Sequence, residues 1–462
     1  MPSTFDPWLS AATAADVMAA GHASTEALAA RQARRLTSLL IAAGNRSRLY
    51  RRLIGSRDPA RLALRDLPVQ QKAELMRHFD EWVTDPELRL DDLRRFTTDR
   101  TRIAEPYLGR YIVWESSGSS GEPAVFVQDA ASMAVYDALE ALRRPVLQPA
   151  QQFFDPWSLG KRIVFLGATG GHFASTVSIE RLRRLNPALA YSVHSISFLQ
   201  PLEAVISQLQ ALAPTVIATY PSAALLLAEE RQAGRLNIAP REIWTGGETL
   251  SLAMRSYVQD AFGCPVANSY GASEFLAIGS ECSLGVMHLN SDWVILESVD
   301  ADGNAVPPGE FGTTTLLTNL ANQVQPVIRY DLGDRVALHA RPCECGSHLP
   351  VIEVQGREDD TLRLGAPGTP IVSVLSLALS TVLEDEAGLF DFQLEQVGPC
   401  DLLLRTGLRG EPGAKAMQRA LPVLASFLTN QGASDVHIEG HCDEPCRRGR
   451  SGKIKRVLAT SD

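Results

Sequence analysis

Three times between residues 160 and 265 the chain repeats one arrangement: an apolar run, a loop of small residues, then a helical stretch. The run at 163–166 ends in Gly167-Ala168-Thr169-Gly170-Gly171. The run at 215–219 ends in Tyr220-Pro221-Ser222, with a helical pattern to about Gln232. Ile243-Trp244 ends in Thr245-Gly246-Gly247-Glu248, with a helical pattern to about Phe262. Short apolar runs, each followed by a helix, specify parallel strands in an α/β layer. Ligands in such layers gather at the loops beyond the carboxyl ends of the strands, which is where these small residues fall. Elsewhere the pattern changes. Residues 10–95 carry Ala, Leu and Arg at helical spacing, broken at Pro68 and Pro86. Residues 293–299 and 313–317, with the Asp302-Gly303 turn between them, read as a hairpin. Beyond Asp360, strand patterns at 401–406 and 436–439 accompany helical ones near 371–386 and 412–430, enough for a small α+β lobe.

A second constraint is the stretch YIVWESSGSSGEPAVFVQ at 111–128. Small residues leave backbone N–H groups uncovered and hydroxyls add donors, so Ser116-Ser117-Gly118-Ser119-Ser120-Gly121 is chemically fit to wrap phosphate oxygens. It is not a Walker loop, which needs Gly-Lys-Ser/Thr and opens a helix. Here position 122 is Glu, and Val125-Phe126-Val127 favours strand. The loop is expected to be a hairpin tip. Taken alone, it reads equally well as a Ser/Gly surface linker.

At 462 residues the chain is too long for one ordinary core, and two or more lobes are expected. A net charge of −9 argues against nucleic acid as the main partner, since phosphate backbones need a basic surface. The longest uncharged stretch, 204–228, is broken by Gln208, Gln210, Pro214 and Pro221 and reads as helix, strand and helix start, not as a membrane span. The N-terminus lacks a secretory pattern, and seven unevenly spaced cysteines point to a reduced cytoplasm.

In chain order come SSGSSGEP (116–123), WTGGET (244–249), SYGASE (269–274), RYDLGD (329–334), GREDD (356–360) and RSGKIKR (450–456). This series resembles the adenylate-forming superfamily of acyl-CoA synthetases, adenylation domains and luciferases, and within it the phenylacetate–CoA ligase branch. The resemblance implies a large N-terminal lobe with parallel-stranded α/β subdomains and a β-rich segment, followed by a small mobile α+β lobe. On that basis the helical part spans 1–105, the adenylate-forming core 106–358, and the mobile lobe 359–462, with Asp359 at the hinge. It also implies activation of a carboxylic acid, aryl or medium acyl, by ATP and Mg²⁺, with transfer from acyl-AMP to a thiol. The thiol is that of CoA or of a carrier protein's phosphopantetheine. Dimers are common in the branch.

The roles carried over are specific. Residues 116–121 would hold the β- and γ-phosphates. Gly246, Gly247 and Glu248 would line the adenine. In Ser269-Tyr270-Gly271-Ala272-Ser273-Glu274, the Tyr270 ring would lie on adenine, Ser273 would bond the α-phosphate, and Glu274 would hold Mg²⁺, a hard ion that prefers oxygen ligands. Asp334 would accept both ribose hydroxyls, for which two acceptor oxygens suit, with Arg357 as a second ribose or phosphate contact. Lys453 matches the catalytic lysine, whose ammonium would stabilise charge developing at the α-phosphate.

Three features depart from the family: Glu122 where Lys is frequent, Asp331-Leu332 within the ribose motif, and Thr361 to Pro370 in place of a Gly-x-Asn-type segment. The first two motivate a contrary reading, a non-catalytic nucleotide-binding relative. His172 and Tyr220 are candidates to read a polar group on the acid, though His172 reads equally as an ordinary loop residue.

Finally, Cys282 and His288 form C-x₅-H, and Cys343 and Cys345 form C-x-C before Gly346. Three thiolates and an imidazole make a closed tetrahedral set for structural zinc. His348 is an alternative fourth ligand. The competing reading is four reduced side chains that never meet.

Overall fold

The computed structural model describes residues 4–116, 124–144, 161–167, 169–197, 200, 202–357, 362–366, 371–374, 379, 382–389, 391–446 and 456–459. The N-terminal part is helical as expected, with helices at Pro7–Gly21, Thr25–Arg46, Arg48–Ile54, Lys72–Arg77, Phe79–Trp82 and Leu90–Thr98. Asp6, Ser24 and Ser47 cap the first three by accepting from backbone N–H groups of the first turn. Their apolar faces contribute Leu39, Leu75, Trp82 and Leu93, each without solvent exposure, to the largest core. Each such side chain contributes roughly 1.5–3 kcal/mol of transfer free energy.

Strands β1 (Ile112–Glu115) and β2 (Val125–Gln128) pair antiparallel, as the two arms of a hairpin do. The helix Ala130–Leu142 follows, capped by Asp129. Next come β3 (Ile163–Gly167), β4 (Val193–Ser197), β5 (Val216–Thr219), β6 (Glu242–Gly246), β7 (Val266–Ala272), β8 (Phe275–Glu281) and β9 (Met287–Leu289). Strands β10 (Val294–Val299), β11 (Thr314–Asn319), β12 (Tyr330–Asp331), β13 (Asp334–His339) and β14 (Val351–Arg357) complete this part. Nine of them form one sheet in the order β13-β14-β9-β8-β7-β6-β5-β3-β4. From β4 to β7 every neighbour is parallel, and from β7 to β13 every neighbour is antiparallel. The helices Leu202–Leu212, Pro221–Gln232 and Leu252–Phe262 cover one face, burying Val164, Ile217, Ile243 and Val258. The expected hairpin is β10 with β11, joined through Asp300, which accepts from the Asp302 and Asn304 backbone N–H groups at 2.9 Å each. Among the described residues no helix is long and apolar enough to cross a membrane.

From Leu362 onward the chain has a hydrophobic cluster of its own, including Leu364, Val374, Leu383, Phe392, Leu394, Leu404 and Leu424. Strands β15 (Leu362–Leu364) and β16 (Val372–Val374) pair antiparallel. β17 (Gln393–Gln396), β18 (Asp401–Arg405), β19 (His437–His441) and β20 (Val457–Leu458) form a sheet in the order β19-β18-β17-β20, packed by the helix Gly410–Asn430. One expectation is met only in part. The stretch 371–386 opens with a strand, and its described helical residues are Leu379 and the π turn Val382–Glu386. β-Branched Ile371, Val372 and Val374 after Pro370 favour the extended backbone, and alternation buries Val374 opposite Leu362.

Arg456 reaches the first sheet's helical layer, where its Nη1 lies 3.4 Å from Met254 Sδ. Beside it, burial pushes the Glu229 carboxyl up to about 7, with Asp391 adding to the rise and Arg456 opposing it. A carboxyl raised above its ordinary 4.5 keeps its proton in the folded protein between about pH 4.5 and 7, so stability falls as pH rises through that window. Glu229→Gln is expected to raise the thermal midpoint at pH 8 and leave it nearly unchanged at pH 4.5. An unchanged midpoint at pH 8 would contradict this.

Candidate active site

The Tyr-Gly motif is a tight hairpin. β7 ends at Ala272, which pairs with Phe275 at the start of β8, so Ser273 and Glu274 form a two-residue tip. The register shifts between Tyr270 and Ala272, and a Cβ at Gly271 would lie 2.0 Å from the Leu276 carbonyl oxygen. Gly271 is therefore required by the hairpin's own backbone. Glu274 is buried at 8% exposure, unlike the surface acid of an ordinary turn. Trp114 Nε1 donates to the Ser273 carbonyl at 2.9 Å, and Asn319 Nδ2 donates to the Glu274 carbonyl at 2.9 Å.

Asp334 is brought to this hairpin from 64 residues away: the Tyr270 hydroxyl donates to its Oδ2 at 2.6 Å. Gly333, at φ +66°, turns the chain so that Asp334 opens β13. Across the ladder Asp334 pairs with Arg357 of β14, so the two residues assigned to the ribose are cross-strand neighbours. The unusual Asp331 has a structural explanation. Its Oδ1 accepts from the Gly333 N–H at 2.9 Å and from the Thr314 hydroxyl, and its Oδ2 accepts from Gln71 Nε2 at 3.0 Å. Arg329, at φ +50°, is likewise consumed by the fold, donating to the Leu67 carbonyl at 2.7 Å and pairing with Glu297.

Gly246 ends β6 beside Ser269 of β7, and a Cβ there would meet Ser269 Oγ at 2.9 Å. Gly247 follows at φ +78°, a conformation that favours glycine. Glu248 is half-buried just beyond. On the side of the sheet facing Ala130–Leu142, a shallow recess is bounded by Ser269, Leu139, Ala277 and the Glu140–Arg144 ion pair. The Arg144 guanidinium also stacks 4.2 Å above the Trp244 ring.

At the base of the Ser/Gly hairpin, the Ser116 N–H donates to the Ala124 carbonyl at 2.8 Å and Ser116 Oγ accepts from the Ala124 N–H at 2.9 Å. Ser117, Gly118, Ser119, Ser120, Gly121, Asp359 and Lys453 lie outside the described residues, as does the side chain of Arg357. His172 is 1% exposed, and its Nε2 lies 3.0 Å from the Asp99 carbonyl. A carbonyl can only accept, so Nε2 carries the proton. That contact turns the ring toward Phe96, 5.5 Å away, and makes His172 a brace for the N-terminal helices.

The four proposed zinc ligands converge. The donor atoms of Cys282, His288, Cys343 and Cys345 all lie within 4.8 Å of one another, and His348 is not in the group. Cys282 Sγ lies 4.0 Å from Cys343 Sγ, and Cys345 Sγ lies 3.4 Å from His288 Nε2. His288 Nδ1 lies 2.9 Å from the Leu349 carbonyl and must donate to it, which turns the Nε2 lone pair toward the thiols. Gly346, at φ +81°, closes the knuckle by donating to the Cys343 carbonyl at 3.1 Å.

Motif reading overlooked one group. Asn319, Asn322 and Gln325 are at most 1% exposed. Asn322 Nδ2 donates to the Val127 carbonyl at 2.8 Å, and Gln325 Oε1 accepts from the Val127 N–H at 2.7 Å. They tie the segment after β11 to the second strand of the Ser/Gly hairpin. The available signal was the spacing of three that Asn319, Asn322 and Gln325 keep within 316–328.

No protein-family model matches the chain. Over 356 residues it is 28% identical to phenylacetate–coenzyme A ligase of Thermus thermophilus, covering 73% of this chain and 72% of that protein. Over 162 residues, 32% of each, it is 30% identical to Protein CapK of Staphylococcus aureus. The solved structure of 2-hydroxyisobutyryl-CoA ligase, in the postadenylation state with an acyl-AMP, matches at a TM-score of 0.68 and 18% identity, covering 93% of this chain and 89% of that one.

Proposed function

We propose that this chain, a homologue of phenylacetate–CoA ligase with the adenylate-forming ligase fold, activates a carboxylic acid with ATP and passes the acyl group to CoA. The observation that carries the reading is the meeting of Asp334 with the hairpin that holds Tyr270 and Ser273-Glu274, through the 2.6 Å Tyr270–Asp334 hydrogen bond.

In the first half-reaction a carboxylate oxygen attacks the α-phosphorus, the bond to the bridging oxygen breaks, and pyrophosphate leaves. In the second, the thiol sulfur attacks the acyl carbon and AMP leaves. Both partners of the first step are anions, so the site must cancel charge. Mg²⁺, when bound, neutralises phosphate oxygens, and the buried Glu274 carboxylate suits a hard cation. Asp334 holds the ribose diol, with Arg357 beside it. Ser273 donates to the α-phosphate, the 116–121 loop holds the β- and γ-phosphates, and Lys453 stabilises the charge that develops at the α-phosphate. The acid is of aryl or medium acyl size, in line with the likeness to phenylacetate–CoA ligase. The lobe from 359 onward turns about Asp359 between the half-reactions. Cys282, His288, Cys343 and Cys345 hold a structural zinc.

The acceptor follows from the relatives, of which two are CoA ligases by name. A carrier-protein thiol is the competing outcome. The non-catalytic alternative loses one of its two motivations, because Asp331 braces its own turn.

The decisive measurement is ATP–pyrophosphate exchange across aromatic and aliphatic acids without thiol, followed by addition of CoA. Exchange with one class of acid supports the reading. Silence across the panel in a protein that binds ATP refutes it. With a responding acid, Lys453→Ala is expected to lower exchange at least about 100-fold, the scale of losing one oriented charge at a transition state, with the thermal midpoint unchanged.

A further inference from the structure

Two polar side chains in the protein interior are committed to consecutive carbonyl oxygens. Trp114 has no exposure, and its indole N–H goes to the Ser273 carbonyl. Asn319 has none either, and one Nδ2 hydrogen goes to the Glu274 carbonyl. The other goes to the Tyr136 hydroxyl at 2.9 Å. Asn319 Oδ1 accepts from the Ala321 and Asn322 backbone N–H groups at 2.9 and 3.2 Å. A carboxamide has two donor hydrogens and two acceptor lone pairs. Asn319 uses all four, so its orientation is fixed.

Below the tip lies an aromatic floor. Phe275, the residue after Glu274, meets Tyr136 edge-on at 5.2 Å, and Tyr136 lies 6.1 Å from Trp114. Trp114 stands two residues before Ser116, in the strand that enters the Ser/Gly loop. Asn319 heads the Asn322–Gln325 network that holds the strand leaving that loop. Both strands of one hairpin and both carbonyls of the other are therefore fastened through the same buried side chains. Burying an indole and a carboxamide costs free energy unless each is fully paired, and a turn that merely reversed the chain would need neither.

We propose that Trp114 and Asn319 are positioning residues for adenylation, holding the Ser273–Glu274 tip in fixed register with β1 and β2. This rests on the roles proposed above for Ser273 and Glu274. The α-phosphate hydroxyl and the metal carboxylate then keep fixed places beside those strands, and a displacement of the tip is felt at the transition state more than in ground-state binding.

The test uses the full chain, Mg²⁺ and a responding acid in ATP–pyrophosphate exchange. Trp114→Phe keeps the ring and removes the N–H. Asn319→Asp keeps the Oδ1 caps and removes the Nδ2 donor. Trp114→Phe, which loses one hydrogen bond, is expected to lower kcat for exchange about tenfold; Asn319→Asp, which loses those to Glu274 and Tyr136, should lower it at least as much, and each should raise the Mg²⁺ half-saturation several-fold. The KM for ATP and for the acid should stay within twofold. In a Glu274→Gln background Trp114→Phe should have almost no further effect on kcat. A merely structural role would lower the thermal midpoint and leave kcat and the Mg²⁺ dependence of the folded enzyme unchanged, which would overturn the proposal. If Trp114→Phe is recovered unfolded, the same readings on Asn319→Asp decide. If Glu274→Gln itself leaves exchange and its Mg²⁺ dependence unchanged, the role given to Glu274 is wrong and the positioning proposal falls with it. An impaired Glu274→Gln beside a normal Trp114→Phe overturns the positioning proposal alone.

Discussion

Asp334→Asn is expected to raise the KM for ATP by about 10- to 100-fold, the range set by hydrogen bonds to a charged group at roughly 1.5–3 kcal/mol. The carboxylate is 6% exposed, and one oxygen is already held by the Tyr270 hydroxyl at 2.6 Å. That bond orients the group, and a carboxylate's two acceptor oxygens suit a vicinal diol. Asparagine is nearly isosteric but has one acceptor oxygen. If that oxygen stays with Tyr270, an NH₂ faces the ribose hydroxyls. If it faces the ribose, the tyrosine hydroxyl must turn and accept. Tyr270→Phe separates the two effects, because it removes the brace and keeps the carboxylate. A rise of no more than about fivefold is expected, the scale of one neutral hydrogen bond. Titration of ATP binding and the exchange assay read both variants, with the thermal midpoint as the control for folding. An ATP KM that stays within twofold in Asp334→Asn would remove the residue from the ribose site.

The parallel part of the fold was legible because each strand is a short, largely apolar run that ends in a turn-forming loop ahead of a helical pattern. Ile163–Gly167, Val216–Thr219 and Glu242–Gly246 fall where the pattern put them. The opening of 371–386 misled, because the three-residue strand Val372–Val374 is too short to show a period of two and its apolar residues fit a helical face equally well. In the site, motifs named the residues at the ends of strands but not what holds them. Trp114 looked like one more apolar strand residue, yet its value lies in a single N–H pointing at a turn 159 residues away. Asn319 looked like a polar residue at a strand end. Long-range partners of this kind carry no local signal, whereas a glycine at φ +78° or beside a carbonyl does. Asp331 shows the reverse error: a departure from a motif looked like lost chemistry and is a turn brace.

Removing zinc is expected to destabilise the protein and leave adenylation intact. A tetrahedral ion with bonds of about 2.3 Å to sulfur and 2.0 Å to nitrogen sets donor separations of about 3.5–3.8 Å. The 4.0 Å Cys282–Cys343 and 3.4 Å Cys345–His288 separations bracket that range. The ion would join the turn between β8 and β9 to the connection between β13 and β14. β9 has only three residues and meets β14 through one paired position, Val351 with His288, so this edge has little pairing of its own. All four ligands come from the protein, which leaves no open position for chemistry. Asp334 opens β13 and His339 ends it, five steps of about 3.3 Å or roughly 17 Å along the strand, with the cysteines beyond. Metal analysis of the purified chain should find one zinc per chain. Cys343→Ser should lose it and lower the thermal midpoint by several degrees, since each 1 kcal/mol shifts a large domain by about 2–4 °C. Exchange measured well below the midpoint should stay within twofold of the parent. A purified parent that carries no zinc, or a Cys343→Ser variant that melts with the zinc-loaded parent, would refute the site, and a loss of exchange in folded Cys343→Ser would show that the cluster reaches the chemistry after all.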